Sequence, residues 1–332
     1  MPIVRERSEV LGIYREAADK GWVLPCFCTE NLTTTEAILE AARRHGEASG
    51  ISDLPIIVAI TNLYDHRAQS CFYTHTRRWD IGMKLFLADL AVLAEPESPF
   101  GNLRIMIHLD HVQHDDDQEL LGWDMRSFSS IMFDASKGPF EDNIRLTKAF
   151  VAAQGDLIVI EGACDEIMDA EGNQRSELTD PEKAERYALE TGVDLVVANL
   201  GTEHRASGQE LVYRGDYARR ICEKIGTRIV LHGASSVPNA RIADLFADGI
   251  CKVNIWTALE RDASPILLRD MIEHAVEVAG SSAAATMESE GLLGSACRVE
   301  GKSSIDYFTT VYRQTIVFQA MTEIVGSYLK LN

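Results

Sequence analysis

The stretch DPEKAERYALETGVDLVVANL, residues 180–200, reads as one helix followed by one strand. Thr179 or Asp180 can cap the start of the helix, and Pro181 suits its first turn. Gly192 is typical of a helix C-cap, and the apolar run after it predicts a strand that is buried on both faces. The stretch therefore predicts a helix–strand unit of a parallel α/β fold.

The same alternation recurs along the chain. Short apolar runs rich in β-branched residues are separated by amphipathic segments with helical periodicity. Eight such units favour a closed (β/α)8 TIM barrel over an open sheet, with additional C-terminal helices from about Ser264 onward. The predicted strands are residues 21–27, 54–60, 104–109, 130–134, 156–162, 194–200, 228–233 and 250–255.

Length and segment order predict a single TIM-barrel domain over residues 1–332. A chain of 332 residues with 46% hydrophobic content is large enough for one big α/β domain or two smaller ones. No linker or low-complexity tract divides it. The long stretch from Asn62 to Asn102 is interpreted as an elaborated βα connection rather than a separate domain.

Charge and cysteine content restrict the partners and the compartment. With 32 basic and 51 acidic residues, the formal net charge is −19, which disfavours nucleic acid and anionic membranes as partners. The sequence lacks a secretory signal and an apolar run long enough to span a membrane, so a cytoplasmic protein is expected. The seven cysteines form no CxxC pair, which indicates reduced thiols rather than a disulfide framework or a cysteine-based zinc cluster.

Polar side chains follow several of the predicted strands. Catalytic residues of TIM barrels lie at the carboxyl ends of the strands, so these positions are candidates for an active site. The stretch LRIMIHLDHVQHDDD, residues 103–117, runs an apolar strand directly into such groups. The strand-end candidates are His108, Asp110, His111, Asp134, Glu161, His204, His232 and Asn254.

Three of the histidines suit one divalent metal, and we select His111, His204 and His232. Neutral imidazoles bind Zn²⁺ at about 2.0–2.1 Å, and strand ends that form a ring can bring them together. His108 precedes His111 by three residues in an alternating strand, so it is expected to face elsewhere. Other divalent ions also accept such a site, and a strand-end histidine can instead be a hydrogen-bonded structural group.

The remaining histidines and the acidic run are interpreted as surface features. His114 is expected in a solvated loop. The run Asp115–Asp117 is most simply a solvated face or a helix start, with a weak cation site as the alternative. The histidines assigned to the surface are His45, His66, His75 and His274.

The order of these motifs resembles the class II, zinc-dependent fructose-bisphosphate/tagatose-bisphosphate aldolase family. The resemblance extends over nearly the whole chain and implies the same (β/α)8 fold. The motifs that carry it are IHLDHVQ (107–113), SSIMFDAS (129–136), TDPEKAERYALETGVDLVVANLGTEH (179–204), RIVLHGASS (228–236) and CKVNIWT (251–257).

The resemblance also implies roles for individual residues. It makes the three selected histidines the zinc ligands, and it makes Asp110 the carboxylate that exchanges a proton with the substrate oxygen. The alternative for Asp110 is a carboxylate that orients a metal-bound histidine. The implied substrate contacts, some of them to phosphate, are Thr61, Gly233, Ser235, Asn254 and Thr257.

Several substitutions depart from the family pattern around the substrate. Arg205 stands where the family has glycine, and it either holds an anion or folds back onto an acidic neighbour. A strand-one asparagine is replaced by Cys28, and an aspartate is replaced by Trp256. The sequence HGASS places Ala234 and Ser236 where two glycines are usual, which alters a phosphate cradle.

A second acid–base residue is less well defined by the sequence. Strand five retains Glu161 but has Ala163 in place of a second glutamate. Glu161 is then a buried structural carboxylate or a group that orients a ligand. Glu166 or Asp165 can serve as the second catalytic acid–base residue, and this role for Glu166 is favoured slightly over a solvent-exposed side chain without one.

These features predict a metal-dependent class II aldolase that cleaves or forms a carbon–carbon bond in a ketose through a metal-stabilised enolate. Its specificity is expected to differ from that for the usual ketose bisphosphate. The alternatives are a retro-aldol-type sugar epimerase, a zinc hydrolase and a non-catalytic sugar-binding barrel. A sugar or sugar phosphate is the expected ligand, and a dimeric or tetrameric homo-oligomer is the expected assembly.

Overall fold

A computed structural model describes residues 2–165, 178–202, 213–233, 237 and 244–331 of the chain. Within these residues, eight parallel strands close into a barrel in which each strand pairs with the next and the last pairs with the first. The prediction of a (β/α)8 barrel is confirmed. The strands are β1 (Leu24–Cys28), β2 (Pro55–Thr61), β3 (Arg104–Gln113), β4 (Ser130–Asp134), β5 (Val159–Ala163), β6 (Leu195–Val197), β7 (Ile229–Leu231) and β8 (Ile250–Ile255).

Helices surround the barrel and bury their apolar faces against its outer surface. Asp180 caps the helix quoted first, because its carboxylate accepts hydrogen bonds from the backbone N–H groups of Glu182 and Lys183. The helices are α1 (Arg7–Lys20), α2 (Leu32–Ser49), α3 (Gln69–Phe72), α4 (Trp79–Leu93), α5 (Gln118–Leu121), α6 (Phe140–Gln154), α7 (Pro181–Thr191), α8 (Gly215–Ile225), α9 (Thr257–Glu273), α10 (Ala275–Ala279), α11 (Ser281–Ser289), α12 (Ile305–Phe308) and α13 (Thr310–Tyr328).

The first and last long helices, α1 and α13, pack against the barrel and the helices around it. Helix α1 was not predicted from the sequence, and it contacts β5 and β8, with Tyr14 packed against side chains of the barrel interior. Helix α13 packs on α2 and α9. Helix α9 begins at Thr257, earlier than the predicted start near Ser264, and it contains the exposed Pro265. No helix in the described part of the chain is long and apolar enough to cross a membrane.

Candidate active site

A pocket opens at the carboxyl ends of the strands, where the sequence places its candidate residues. The side chains that line it come from the ends of β1, β2, β3, β7 and β8. Seven residues predicted from the sequence lie in its wall, namely Thr61, Asp110, His111, His232, Gly233, Asn254 and Thr257.

A β-bulge in β3 brings two consecutive side chains to the same pocket. The register with β4 shifts between Leu109 and Val112, and His111 has a φ of 46°, a left-handed conformation that is uncommon for residues other than glycine. In a regular strand, Asp110 and His111 would point to opposite faces. The bulge removes that alternation, so both side chains reach the pocket.

Two imidazoles meet at the pocket floor with the geometry of a shared ligand site. His111 Nε2 lies 3.1 Å from His232 Nδ1, and both side chains are buried. Two nitrogens bound to one Zn²⁺ at about 2.0–2.1 Å and a tetrahedral angle are roughly this far apart. The Asp110 carboxylate completes a group of ligand atoms that all lie within 4.8 Å of one another. The donor set therefore fits a divalent metal.

Asp134, at the end of β4, fixes the orientation of His111. Its Oδ2 lies 3.3 Å from His111 Nδ1 and accepts a hydrogen bond of 2.7 Å from Gln113 Nε2. Burial opposes ionisation, but hydrogen bonds and the His111 charge hold the pKa of Asp134 below its usual range. A carboxylate on Nδ1 of a histidine fixes the ring so that Nε2 serves as the metal ligand. Asp134 was predicted from the sequence to lie at a strand end, but its role in orienting His111 was not predicted.

Tyr64 was not identified from the sequence, although it packs directly on a candidate ligand. Its ring stacks on His111 with a centroid separation of 4.1 Å and an interplanar angle of 3°. This contact and the Asp134 contact together restrict rotation of the imidazole. No short motif marks such a residue, because the stacking depends on how the loop after β2 folds over the barrel.

The Asp110 carboxylate is held from two neighbouring strands. Its Oδ1 accepts a hydrogen bond of 2.9 Å from Asn254 Nδ2, and its Oδ2 accepts one of 3.3 Å from the Cys28 thiol. Burial opposes ionisation of Asp110, but the charges of His111 and His232 hold its pKa well below the usual range. Burial and the nearby carboxylate raise the pKa of the Cys28 thiol, so it remains protonated and acts as a donor.

A charged network lies inside the barrel beneath Asp110. Lys252 Nζ donates to Glu161 Oε1 at 2.7 Å and contacts His108 Nε2 at 3.0 Å, and all three side chains are fully buried. Burial lowers the pKa of Lys252, but Cys26, Glu161 and Asp110 raise it above its usual value. An enclosed ammonium is not available to form a Schiff base with a carbonyl substrate. His108 faces this network, which was not predicted; the strand alternation predicted only that it would face elsewhere than the metal.

One guanidinium in the pocket wall, that of Arg67, lies near two carboxylates. Arg67 binds Glu30 through two hydrogen bonds of 2.6 and 2.7 Å, and its Cζ lies 5.7 Å from the ring of Trp256. The Thr61 hydroxyl donates to the Arg67 carbonyl oxygen. Burial and the neighbouring Glu30 raise the pKa of Glu260 to about 7. Glu260 Oε1 is buried without a hydrogen-bond partner among the described residues.

Two interpretations from the sequence need correction. His66, assigned to the surface, is half-buried in the pocket wall and packs edge-on against Tyr64. Asp117, assigned to a solvated acidic face or helix start, is buried and accepts hydrogen bonds from Asn62 Nδ2 and the Gln113 backbone N–H. Asp117 connects the loops after β2 and β3, a contact between distant segments that a local charge pattern does not show.

Four of the predicted residues lie outside the described residues: Glu166, His204, Arg205 and Ser235. Their roles remain predictions from the sequence. The alternative acid–base residue, Asp165, is described, and its carboxylate pairs with Lys183.

The fold and the donor set define a class of protein, a TIM-barrel enzyme with a metal-binding group of side chains at the carboxyl ends of its strands. The sequence profile described as Fructose-bisphosphate aldolase class-II matches residues 8–302. The chain belongs to this family, and the protein is therefore a carbon–carbon lyase of the aldehyde-lyase group. Class II aldolases are in general zinc-dependent, which agrees with the donors found here.

Individual relatives agree with this assignment. The chain is 26% identical over 267 residues to the D-tagatose-1,6-bisphosphate aldolase subunit GatY of Klebsiella oxytoca, covering 77% of this chain and 82% of that protein. The crystal structure of the fructose-bisphosphate aldolase from Campylobacter jejuni superposes with a TM-score of 0.74 at 16% identity, covering 99% of this chain and 95% of that one. A putative fructose-1,6-bisphosphate aldolase from Coccidioides immitis superposes with a TM-score of 0.64 at 20% identity, covering 98% and 96%. At these identities the structural matches show the fold.

Glu260 makes the stability of the protein depend on pH. Because the pKa of Glu260 is raised from 4.5 to about 7, the folded state favours its protonated form. The contribution of Glu260 to stability is therefore greatest below pH 4.5 and falls as the pH rises towards 7. The loss is about 2 kcal/mol after allowance for partial exposure. We expect Glu260→Gln to raise the Tm at pH 8 by about 2–4 °C and to change it little at pH 5.

The matched control for this prediction is Glu273→Gln, at an exposed position on the same helix. It should shift the Tm equally at the two pH values. Thermal unfolding followed by circular dichroism at pH 5 and pH 8 measures both variants. An equal effect of Glu260→Gln at the two pH values would contradict the assigned titration.

Proposed function

We propose that the protein is a metal-dependent aldolase that cleaves or forms a carbon–carbon bond in a ketose monophosphate or a related sugar. The observation that carries this proposal is the pair of buried imidazole nitrogens 3.1 Å apart beside a carboxylate held by Asn254. A hydroxyl proton must leave when the bond breaks, and electron density must move to the ketone oxygen. The pocket supplies groups for both changes.

His111 and His232 are proposed to hold the metal, with His204 as the third ligand predicted from the sequence. The Asp134 carboxylate fixes His111 so that Nε2 faces His232. A bound Zn²⁺ would act as a Lewis acid for the negative charge that develops on the ketone oxygen. Asp110 is proposed to accept the proton of the hydroxyl group on the carbon that leaves, and to return it in the synthetic direction. Glu166 is the second acid–base residue predicted from the sequence.

One phosphate group is proposed to bind at the start of α9. Thr257 lines the pocket and begins this 17-residue helix, and no side chain caps its first turn. The free N–H groups and the dipole of a helix N-terminus favour a phosphate. Gly233 lies in the same wall with a positive φ of 67°, which allows close approach of its backbone. Ser235 is the further phosphate contact implied by the family resemblance.

The part of the pocket around Arg67 is poorly suited to a second phosphate. The only guanidinium in this wall among the described residues is that of Arg67, and Glu30 already occupies two of its donor groups. Glu260 adds a second carboxylate, whose electrostatic effect reaches Arg67. A phosphate dianion beside Arg67 would face one guanidinium, the carboxylate of Glu30 and, when ionised, the carboxylate of Glu260. We therefore propose that the end of the substrate that lies beside Arg67 is uncharged, with the Trp256 ring packing against it. Arg205 lies outside the described residues, and the sequence leaves open whether it holds an anion or folds back onto an acidic neighbour.

A comparison of substrates tests this specificity. We expect kcat/KM for fructose 1-phosphate to exceed that for fructose 1,6-bisphosphate by about tenfold or more, because about 1.4 kcal/mol of unfavourable electrostatics corresponds to a factor of ten. A coupled assay that detects the ketone and the aldehyde released by cleavage measures the rate for each substrate. Rapid cleavage of the bisphosphate would refute the altered specificity while leaving the aldolase chemistry in place.

The variant Glu30→Gln provides the matched test of the electrostatic argument. It releases the Arg67 guanidinium from its carboxylate partner, so kcat/KM for the bisphosphate should rise relative to that for the monophosphate. Glu47→Gln, which removes an exposed carboxylate that pairs with Arg43 on the outer helix α2, should leave the ratio unchanged.

A further inference from the structure

The buried network of Glu161, Lys252 and His108 has no part in the proposed reaction steps. It joins β5, β8 and β3 across the barrel interior, and all three side chains have zero exposure. The contacts are 2.7 Å from Lys252 Nζ to Glu161 Oε1 and 3.0 Å from Lys252 Nζ to His108 Nε2. The Asp110 carboxylate lies directly above, with Oδ1 at 3.8 Å from His108 Nε2.

A contribution to the stability of the fold does not by itself explain why this charged network is buried. Removing two charges from water costs several kcal/mol per ion, and hydrophobic residues of similar volume often replace a buried ion pair without loss of stability. The rest of the barrel interior shows that apolar packing is available at this level, since Met106, Val159 and Leu24 are buried there. The position of the network beneath Asp110 therefore needs another explanation.

The contacts determine which nitrogen of His108 carries the proton. An ammonium group has donors and no acceptor, so its contact with Nε2 makes that nitrogen an acceptor. In neutral His108, the proton then resides on Nδ1, which lies 2.8 Å from Ser130 Oγ and donates to it. His108 Nε2 consequently has no proton to donate to Asp110.

This tautomer matters because Asp110 already has two donors. Asn254 Nδ2 occupies Oδ1 and the Cys28 thiol occupies Oδ2. Glu161 Oε2 lies nearer to His108 Nε2, at 3.6 Å, so the capture of Asp110 is expected when Lys252 and Glu161 are replaced together. A protonated Nε2 at 3.8 Å from Asp110 Oδ1 could then move closer and donate to it, drawing the carboxylate down into the barrel. A hydrogen bond to a carboxylate from an N–H group is short and strong, so it would compete with the substrate hydroxyl.

We propose that Lys252 is a positioning residue for proton transfer by Asp110, because it keeps His108 in the Nδ1–H form and prevents the imidazole from capturing the carboxylate. The effect on the reaction rests on the proposed function. The tautomer itself does not, because it follows from contacts within the protein.

The variant that separates this role from a structural one is Lys252→Met combined with Glu161→Leu. It removes both charges together and leaves no unpaired buried ion, so the barrel is expected to fold. We expect kcat to fall about tenfold or more, while KM and the metal content per chain stay within about twofold. The control is Lys224→Met combined with Glu185→Leu, an exposed pair 2.9 Å apart, which should leave kcat unchanged.

A third substitution tests whether the loss acts through the imidazole. In the Lys252→Met/Glu161→Leu background, His108→Leu removes the group that would capture Asp110. We expect it to restore kcat to within about threefold of the native value. Unrestored kcat would overturn the proposal, since Lys252 would then act without His108.

Nitrogen NMR of the native protein tests the same inference without any enzyme assay. With ¹⁵N-labelled histidine, the His108 signals, assigned through His108→Leu, should report a proton on Nδ1 and an unprotonated Nε2. A proton on Nε2 would overturn the proposal even if the barrel variants failed to fold. If the native protein showed no metal-dependent cleavage, the proposed function would fail while the tautomer result would stand.

Discussion

His232→Ala is expected to abolish tight metal binding and carbon–carbon cleavage together. His232 Nδ1 and His111 Nε2 are the nitrogens that the fold brings to within 3.1 Å, so removing either leaves an incomplete donor set. A Lewis acid contributes several kcal/mol to stabilising a developing oxyanion, which corresponds to a loss of about 10³-fold or more in turnover. Elemental analysis after dialysis and a cleavage assay measure the two effects.

Asp134→Asn gives an intermediate result that a general loss of structure would not produce. The amide preserves the shape of the side chain but removes the charge that orients His111 through Nδ1. Loss of such a partner weakens metal affinity by about 10- to 100-fold, so turnover should recover when excess metal is supplied. His75→Ala, at an exposed position, is the control and should retain full metal content. If the His232→Ala variant still bound one metal ion per chain tightly, the proposed metal site would be wrong.

The barrel was predictable because its signal is local. Strands β4 and β8 occupy the residues predicted for them, and each is a short run composed mainly of apolar residues. Strand β3 was predicted to end at Leu109 but continues to Gln113. The bulge around His111 breaks the alternating pattern, and polar residues there are buried in the pocket rather than exposed in a loop. Sequence periodicity cannot distinguish these two situations.

The site was predictable to the extent that its residues stand at strand ends. His111 and His232 satisfied that criterion, and the fold brings them together. Lys252 did not, because a lysine in the middle of the apolar run ICKVNI gives no sign of its partners. Its contacts with His108 and Glu161 join residues 144 and 91 positions away in the chain. Such pairs become visible only when the barrel closes.

Asp110→Asn is expected to lower kcat by about 10²- to 10⁴-fold, the range for removal of a positioned general acid–base group. The amide can still contact Asn254 and Cys28, but it has no carboxylate to accept the hydroxyl proton. Metal content and KM should change little, because the imidazoles and the start of α9 are untouched. Steady-state kinetics together with metal analysis of the same preparation measures all three quantities.

The two interpretations of Asp110 predict different outcomes for this variant. If the carboxylate served only to hold a metal-bound histidine in place, Asp110→Asn would lose metal in parallel with activity, and excess metal would restore both. If it carries the proton, the fully metallated variant stays slow at every metal concentration. Asp115→Asn, an exposed carboxylate five residues along the chain, controls for the change in local charge and should leave kcat unchanged. The kinetic defect in the metallated protein therefore distinguishes proton transfer from ligand support.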